Sequence, residues 1–188
     1  AWKNGQTGYP LIDACMRCLK ATGYINFRMR AMLVSFASYD LWLDWRKTSK
    51  HLATQFTDYE PGIHYSQFQM QSGVTGINSI RIYNPLKQQK DHDGGGIFVR
   101  KWVPELKEVP LEYIFTPHLM SEGFQEIYNC KIGTDYPEPI VDHGLQVKKA
   151  KQILYGIKKT ESAKVEAKKV YLKHGSRRRP LSKRASTT

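Results

Sequence analysis

A helical repeat runs through the stretch Pro10-Leu11-Ile12-Asp13-Ala14-Cys15-Met16-Arg17-Cys18-Leu19-Lys20-Ala21. Its larger apolar side chains recur three or four positions apart, which is the spacing of one face of an α-helix. Gly5 and Gly8 break the chain before Pro10, and Thr22-Gly23 stops the repeat after Ala21. The stretch therefore predicts an amphipathic helix that begins near Pro10 and buries Leu11, Ile12, Cys15, Met16 and Leu19.

Similar periodic patterns follow downstream and predict five more helices. Their approximate bounds are Asn26 to Asp44, Ser49 to Thr57, Ile97 to Trp102, His143 to Lys158 and Glu161 to Lys173. The chain has no internal repeat and no alternation of strands with helices. We therefore expect an all-α protein, a multi-helix bundle.

Two segments are expected to be irregular. The run Ile80 to Pro85 is predicted to be extended, and Lys87 to Asp93, followed by three glycines, is predicted to be a loop.

The segment Asp58 to Gly73 places two carboxylates, a histidine and three glutamines among aromatic residues. Pro61, Gly62 and Gly73 are expected to break regular structure there. Such a segment either lines a pocket or forms a solvent-exposed loop, and the residues alone leave both interpretations open.

The charge is concentrated at one end of the 188-residue chain, whose formal net charge is +12. The 41 residues from Lys148 onward carry fourteen basic and two acidic side chains, whereas the preceding residues are neutral overall. We therefore divide the chain into a domain, 1–147, and a basic helical extension with a disordered tail, 148–188. The extension either binds nucleic acid or another anionic surface, or is a solvated tail.

Three cysteines are too few to hold a domain of this size together by disulfides, so a reducing compartment is expected. Cys15 and Cys18 have the spacing of a redox or zinc pair, but they lie in a helical pattern without a second pair. Buried free thiols and no metal site are expected.

No apolar run reaches the length of a membrane span and no signal peptide is evident, which favours a cytoplasmic, nucleoid-associated or nuclear location. The chain opens on Ala1 without Met, as expected of a piece of a longer protein.

With these segments in place, four motifs closely resemble the photolyase and cryptochrome flavoproteins, in the C-terminal part of their helical FAD-binding domain. They are Gly5-Gln6-Thr7-Gly8-Tyr9-Pro10 with Asp13-Ala14 and Met16-Arg17, Asp44-Trp45-Arg46, Arg81-Ile82-Tyr83-Asn84-Pro85, and Arg100-Lys101-Trp102-Val103-Pro104-Glu105-Leu106. The likeness runs from Trp2 to about Val141. It implies that an N-terminal antenna domain and the loop that holds the FAD phosphates lie outside this chain, which alone is then expected to bind FAD weakly or not at all and to lack activity.

The resemblance implies a blue-light-absorbing FAD protein that passes an electron to UV-damaged DNA or to a signalling change. Arg30 and Asp58 match an ion pair beside the flavin ring, and Glu60 matches a carboxylate at the ring edge. His64 matches the residue that faces the flavin. It can exchange a proton there near neutral pH, or it can serve only as a partner of a backbone carbonyl. The cofactor-binding residues implied are Phe27, Arg30, Asp58, Tyr59, Glu60 and His64.

Several positions depart from the family pattern. The electron relay is usually three tryptophans. Trp45 matches the middle one, but Phe68 stands at the flavin-proximal one, which breaks the relay unless Tyr65, Trp42 or Trp2 offers a detour. Trp45 and His64 are accordingly the candidate catalytic residues.

The predicted DNA contacts are Arg28, Met70 and Gln88, with Met70 in place of a tryptophan that packs on a flipped lesion. Phe27 and Ala31 replace two histidines of the 6-4 photoproduct branch, which is therefore disfavoured. The resemblance thus implies a DNA photolyase-type repair enzyme or, alternatively, a cryptochrome-like photoreceptor without repair activity. A basic DNA-binding helical module without flavin would require the likeness to be coincidental.

Overall fold

The computed structural model describes residues 1–75 and 79–174, and the regular secondary structure in this part of the chain is helical. Residues 36–40 form a wider, π-type turn, and short 3-10 turns precede α1 and follow α6. Within the described ranges the only bridge of β type pairs Ile132 with Tyr136. The α-helices are α1 (Pro10–Thr22), α2 (Phe27–Ser35), α3 (Trp45–Ala53), α4 (Pro61–Gln71), α5 (Pro85–His92), α6 (Ile97–Trp102), α7 (Glu122–Ile127), α8 (His143–Lys159) and α9 (Glu161–His174).

The all-α prediction is confirmed, and α1, α6, α8 and α9 lie close to their predicted bounds. The helix expected from Asn26 to Asp44 is present over 27–40 with a change to π-type turns, and the prediction is wrong beyond Asp40. Helix α2 ends at Ser35, the π-type turn follows, and Trp42 adopts a left-handed backbone conformation with φ of 53°. Asp44 then accepts a hydrogen bond from the Arg46 amide at 2.9 Å and caps α3, so the third helix begins before Ser49.

Residues 80–84 have no regular structure, whereas two other segments with polar or breaker residues, 61–71 and 85–92, are helices. In α4, the Glu60 side chain caps the first turn and Pro61 occupies the first helical position, where its missing N–H costs nothing. Gly73 follows the end of the helix with φ of 77°. In α5, Asn84 and Pro85 act in the same way, so the loop expected from Lys87 to Asp93 is wrong over Lys87 to His92.

Helix α1 is the centre of the core, because it packs against α2, α5 and α6. Its Asp13 is fully buried and accepts hydrogen bonds from the Thr7 amide, the Thr7 hydroxyl, the Gly8 amide and the Tyr136 hydroxyl. Burial raises the pKa of Asp13, and the hydrogen bonds from Thr7 and Tyr136 oppose that shift. One carboxyl group thus joins the N-terminal segment to a residue 123 positions away.

The basic helices differ in how they are attached. Helix α8 packs on the π-type turn, where the His143 imidazole contacts the buried Asp40 carboxylate and Ala150 is buried. None of the residues of α9, all within the described range, is buried. The last part of the expected basic tail, residues 175–188, lies outside the described residues.

All three cysteines are buried free thiols, as predicted. Burial raises the pKa of Cys15 and raises that of Cys130 to about 11. In the described part of the chain, no helix combines the length and apolarity needed to cross a bilayer.

Candidate functional site

A pocket of about 150 Å³ lies between α2, the segment that follows α3, and α4. It contains all six of the cofactor-binding candidates named from the sequence. Its walls are mainly apolar and aromatic, with a few polar groups, as in most small-molecule sites. The lining residues beyond the six candidates are Ala31, Val34, Leu52, Phe56, Ile63, Gln67, Phe68 and Gln71.

Arg30 places a fixed positive charge at the pocket. Its Nη2 donates to Asp58 Oδ2 at 2.9 Å and its Nε donates to the Ile25 carbonyl oxygen at 2.8 Å. The guanidinium carbon also lies 4.1 Å from the centre of the Phe56 ring, within cation–π range. The hydrogen bond from Arg30 lowers the pKa of Asp58, so this carboxyl group is ionised at neutral pH.

Glu60 uses both carboxylate oxygens to cap α4. Oε1 accepts from the Gly62 amide at 3.1 Å and Oε2 accepts from the Ile63 amide at 2.6 Å. The negative charge is favourable at the positive end of the helix. Glu60 therefore fixes the beginning of the helix that forms one wall of the pocket.

His64 is buried in a group of aromatic rings. Its Nε2 lies 2.9 Å from the Ser49 carbonyl oxygen, an acceptor, so Nε2 carries the proton. The rings of Phe56, Tyr59, Tyr65 and Phe68 have centroids 4.7–6.0 Å away. Burial lowers the pKa of His64, which favours a neutral imidazole with an unprotonated Nδ1. The carbonyl hydrogen bond considered from the sequence is present.

Two pocket residues, Gln67 and Gln71, were missed in the sequence. Neither Oε1 atom has a hydrogen-bond partner within residues 1–75 and 79–174, and both atoms are buried. They lie three and seven positions after His64, on the same face of α4. That spacing identifies them once the segment is recognised as a helix, but not while it is interpreted as a loop.

The other candidates, apart from Phe68, lie outside this pocket. Trp45 is half-buried and lines a separate groove together with Trp42, whereas Phe68 is buried beside His64 at a centroid distance of 4.7 Å. Arg28 is exposed, Met70 is half-buried, and Gln88 is buried. These predicted DNA-contact and relay residues stay predictions.

Comparisons with known proteins identify the family of this chain. The family model for the FAD binding domain of DNA photolyase matches residues 1–155. A deoxyribodipyrimidine photo-lyase from Alkalihalophilus pseudofirmus is 39% identical over 158 residues, which are 83% of this chain and 33% of that protein.

Two solved structures share the fold. A cryptochrome from Synechocystis sp. PCC6803 matches with a TM-score of 0.77 and 34% identity, covering 81% of this chain and 32% of that one. An archaeal photolyase from Sulfolobus tokodaii with two FAD molecules matches with a TM-score of 0.69 and 38% identity, and the match covers 83% of this chain and 34% of that one.

The chain spans about a third of the length of the curated relatives that it matches. The family model nevertheless covers most of this chain, and the relatives carry both photo-lyase and cryptochrome names. The sequence, the fold and the pocket thus lead to one assignment: the chain belongs to the photolyase and cryptochrome family, as part of its FAD-binding domain.

Proposed function

We propose that this chain supplies the flavin-ring pocket of a photolyase-type protein that repairs UV-damaged DNA by light-driven electron transfer. The observation that carries the proposal is the convergence of six candidate residues, from α2 and from the 58–64 segment, on one pocket. The family's cofactor is FAD, and the whole protein's activity and substrate are part of the proposal.

The residues present fit a flavin ring. Apolar and aromatic walls suit its faces, the Arg30 guanidinium suits an electron-rich edge, and the amide oxygens of Gln67 and Gln71 can accept from its N–H groups. A pocket of about 150 Å³ is small beside the several hundred Å³ typical of sites for drug-sized ligands, so this chain can enclose only part of FAD. Bound FAD supplies the light absorption and the electron transfer.

The protein's own residues have distinct roles in this proposal. Arg30 holds positive charge near the ring, while Asp58 keeps the guanidinium in place and lowers the net charge of the site. His64, neutral and tied to the Ser49 carbonyl oxygen, excludes water and contributes an imidazole nitrogen that can accept a proton. The proton on Nε2 already forms the hydrogen bond to the Ser49 carbonyl oxygen, which makes His64 a poor proton donor to the ligand.

The alternative is a cryptochrome-like photoreceptor without repair turnover. Phe68 favours it, because a buried phenylalanine beside His64 is much harder to oxidise than the tryptophan of the family pattern. Met70 also favours it, because a thioether offers less stacking surface to a flipped base than an indole.

One experiment separates the two functions. The full-length protein, with its flavin reduced chemically, is illuminated with an oligonucleotide that contains a cyclobutane pyrimidine dimer, and restored thymines are measured. Repair is expected, since chemical reduction bypasses any interruption at Phe68. An absence of repair in a protein that binds FAD refutes the photolyase function and favours the photoreceptor.

We also propose that helices α8 and α9 bind the DNA backbone. Their lysines are solvated and their two exposed tyrosines, Tyr155 and Tyr171, can stack on bases. The predicted contacts Arg28, Met70 and Gln88 belong to the same proposal. We also propose that 1–147 and 148–188 are two functional parts of the chain, although helix α8 spans the boundary between them.

A cytoplasmic, nucleoid-associated or nuclear location is proposed from the buried free thiols and the DNA substrate.

A further inference from the structure

We propose that Gln71, together with Gln67 one turn before it, is a hydrogen-bond acceptor that recognises an N–H or O–H donor of the bound flavin. The inference rests on the proposed flavin pocket and assigns it two residues that the family likeness did not suggest. A buried acceptor without a partner also destabilises the folded protein when no flavin is bound.

Burial is the first argument. Gln71 is 5% exposed and lines the pocket, and the same pocket is lined by the half-buried Gln67. No described residue donates to either Oε1 atom. A buried acceptor that has lost its water without gaining a partner destabilises the folded protein.

The composition of the pocket is the second argument. Its charged donor, Arg30, is already engaged with Asp58 and with the Ile25 carbonyl oxygen, so its Nη2 and Nε are not directed to the glutamines. The other pocket residues are aliphatic or aromatic, apart from His64 and the two carboxylates, and the Tyr59 hydroxyl is hydrogen-bonded with Tyr65. A donor from a molecule in the pocket can therefore fill the role that no described residue fills.

The geometry of α4 is the third argument. His64, Gln67, Phe68 and Gln71 follow the spacing of one helical face, and α4 packs against α2 on that side. Gln69, on the same helix, is exposed. Two glutamines beside His64 on a face that packs against α2 indicate a requirement other than packing.

Gln71→Met tests the inference, because methionine is similar in length and lacks the acceptor. Without flavin, the variant should unfold at a temperature about 2–4 °C higher than the wild type, since a buried acceptor without a partner is removed. With flavin, its dissociation constant for FAD, measured by quenching of flavin fluorescence, should increase roughly three- to tenfold. Gln67→Met should change both quantities in the same directions, and Gln69→Met should change neither.

The outcomes are separable. If the wild-type full-length protein does not bind FAD, the proposed pocket function fails and this inference fails with it. If the wild type binds FAD and Gln71→Met binds equally well, the function stands and the inference is refuted. If Gln71→Met lowers both the unfolding temperature and the affinity, Gln71 has a structural role and the inference is also refuted. Should Gln71→Met not fold, the opposed shifts are required of Gln67→Met alone, and their absence refutes the inference.

Discussion

Replacing Asp13 with asparagine should destabilise the fold through one specific contact. In the wild type, Oδ1 accepts from the Thr7 amide at 2.8 Å and from the Thr7 hydroxyl at 2.7 Å, while Oδ2 accepts from the Gly8 amide at 3.1 Å and from the Tyr136 hydroxyl at 2.7 Å. Asparagine keeps an oxygen for Thr7 but turns an NH₂ group toward Gly8 and Tyr136. The tyrosine hydroxyl can reverse its role, whereas the Gly8 N–H cannot.

The expected cost follows from that mismatch. Losing a hydrogen bond to a charged acceptor costs about 1.5–3 kcal/mol, and leaving the Gly8 N–H buried without a partner adds to it. Removing a buried charge, whose desolvation raises the pKa of Asp13, offsets part of this cost. We therefore expect Asp13→Asn to lower the free energy of unfolding by about 1–3 kcal/mol.

Urea unfolding followed by circular dichroism measures the change. Asp91→Asn is the matched control, because Asp91 is exposed and pairs with Lys87 on the surface of α5, where the effect should stay within about 0.5 kcal/mol. Equal stability of Asp13→Asn and the wild type would refute the reasoning. It would mean that the carboxyl group is already protonated and that the Gly8 amide has found another acceptor.

Three further predictions concern the site and the basic helices. Arg30→Met should raise the pKa of Asp58 toward its ordinary value, so the stability advantage of the wild type should be present at neutral pH and should disappear as the pH falls through the lowered pKa of Asp58. Phe68→Trp should accelerate light-driven reduction of the bound flavin by an external reductant, and overpacking should cost about 1–3 kcal/mol of stability. Ending the chain after Thr160 should weaken DNA binding and reduce its salt dependence while leaving the core folded, because α9 buries no residue.

Each of these predictions has a control and a contrary result. For Arg30→Met, pH-dependent unfolding is compared with Arg28→Met, an exposed arginine on the same helix, and an unchanged acid limb would refute the coupling. For Phe68→Trp, Phe98→Trp is the control, and unchanged photoreduction would show that the electron takes another route. For the truncation, an unchanged slope of affinity against salt would mean that α9 makes no phosphate contact.

The sequence identified helices where local signals agreed with one another. Periodicity and flanking breakers both mark α1, and lysine-rich periodic runs mark α8 and α9. The change to π-type turns after Ser35 and the end of the helix after Asp40 were not visible, because they and the left-handed Trp42 depend on packing rather than on breaker residues. The helices α4 and α5 were missed because their polar composition outweighed the pairs Glu60-Pro61 and Asn84-Pro85, which are start signals.

The residues of the candidate site were likewise only partly predictable from the sequence. The family likeness supplied six pocket residues, since their motif positions were recognisable one by one. Gln67 and Gln71 depend on the phase of α4, and that phase has meaning only after the helix is known. The hydrogen bond between His64 and Ser49 joins two helices, so nothing in either local segment predicts it.

The cap at Glu60 also determines how this pocket can change. Each residue of an α-helix turns the chain by about 100°, so inserting or deleting one residue between Glu60 and His64 would rotate the imidazole and both glutamines away from the cavity. Substitutions at positions 64, 67, 68 and 71 leave that register intact. Related proteins can therefore diversify this wall by exchanging side chains, whereas the length of chain between the cap and the wall must stay constant.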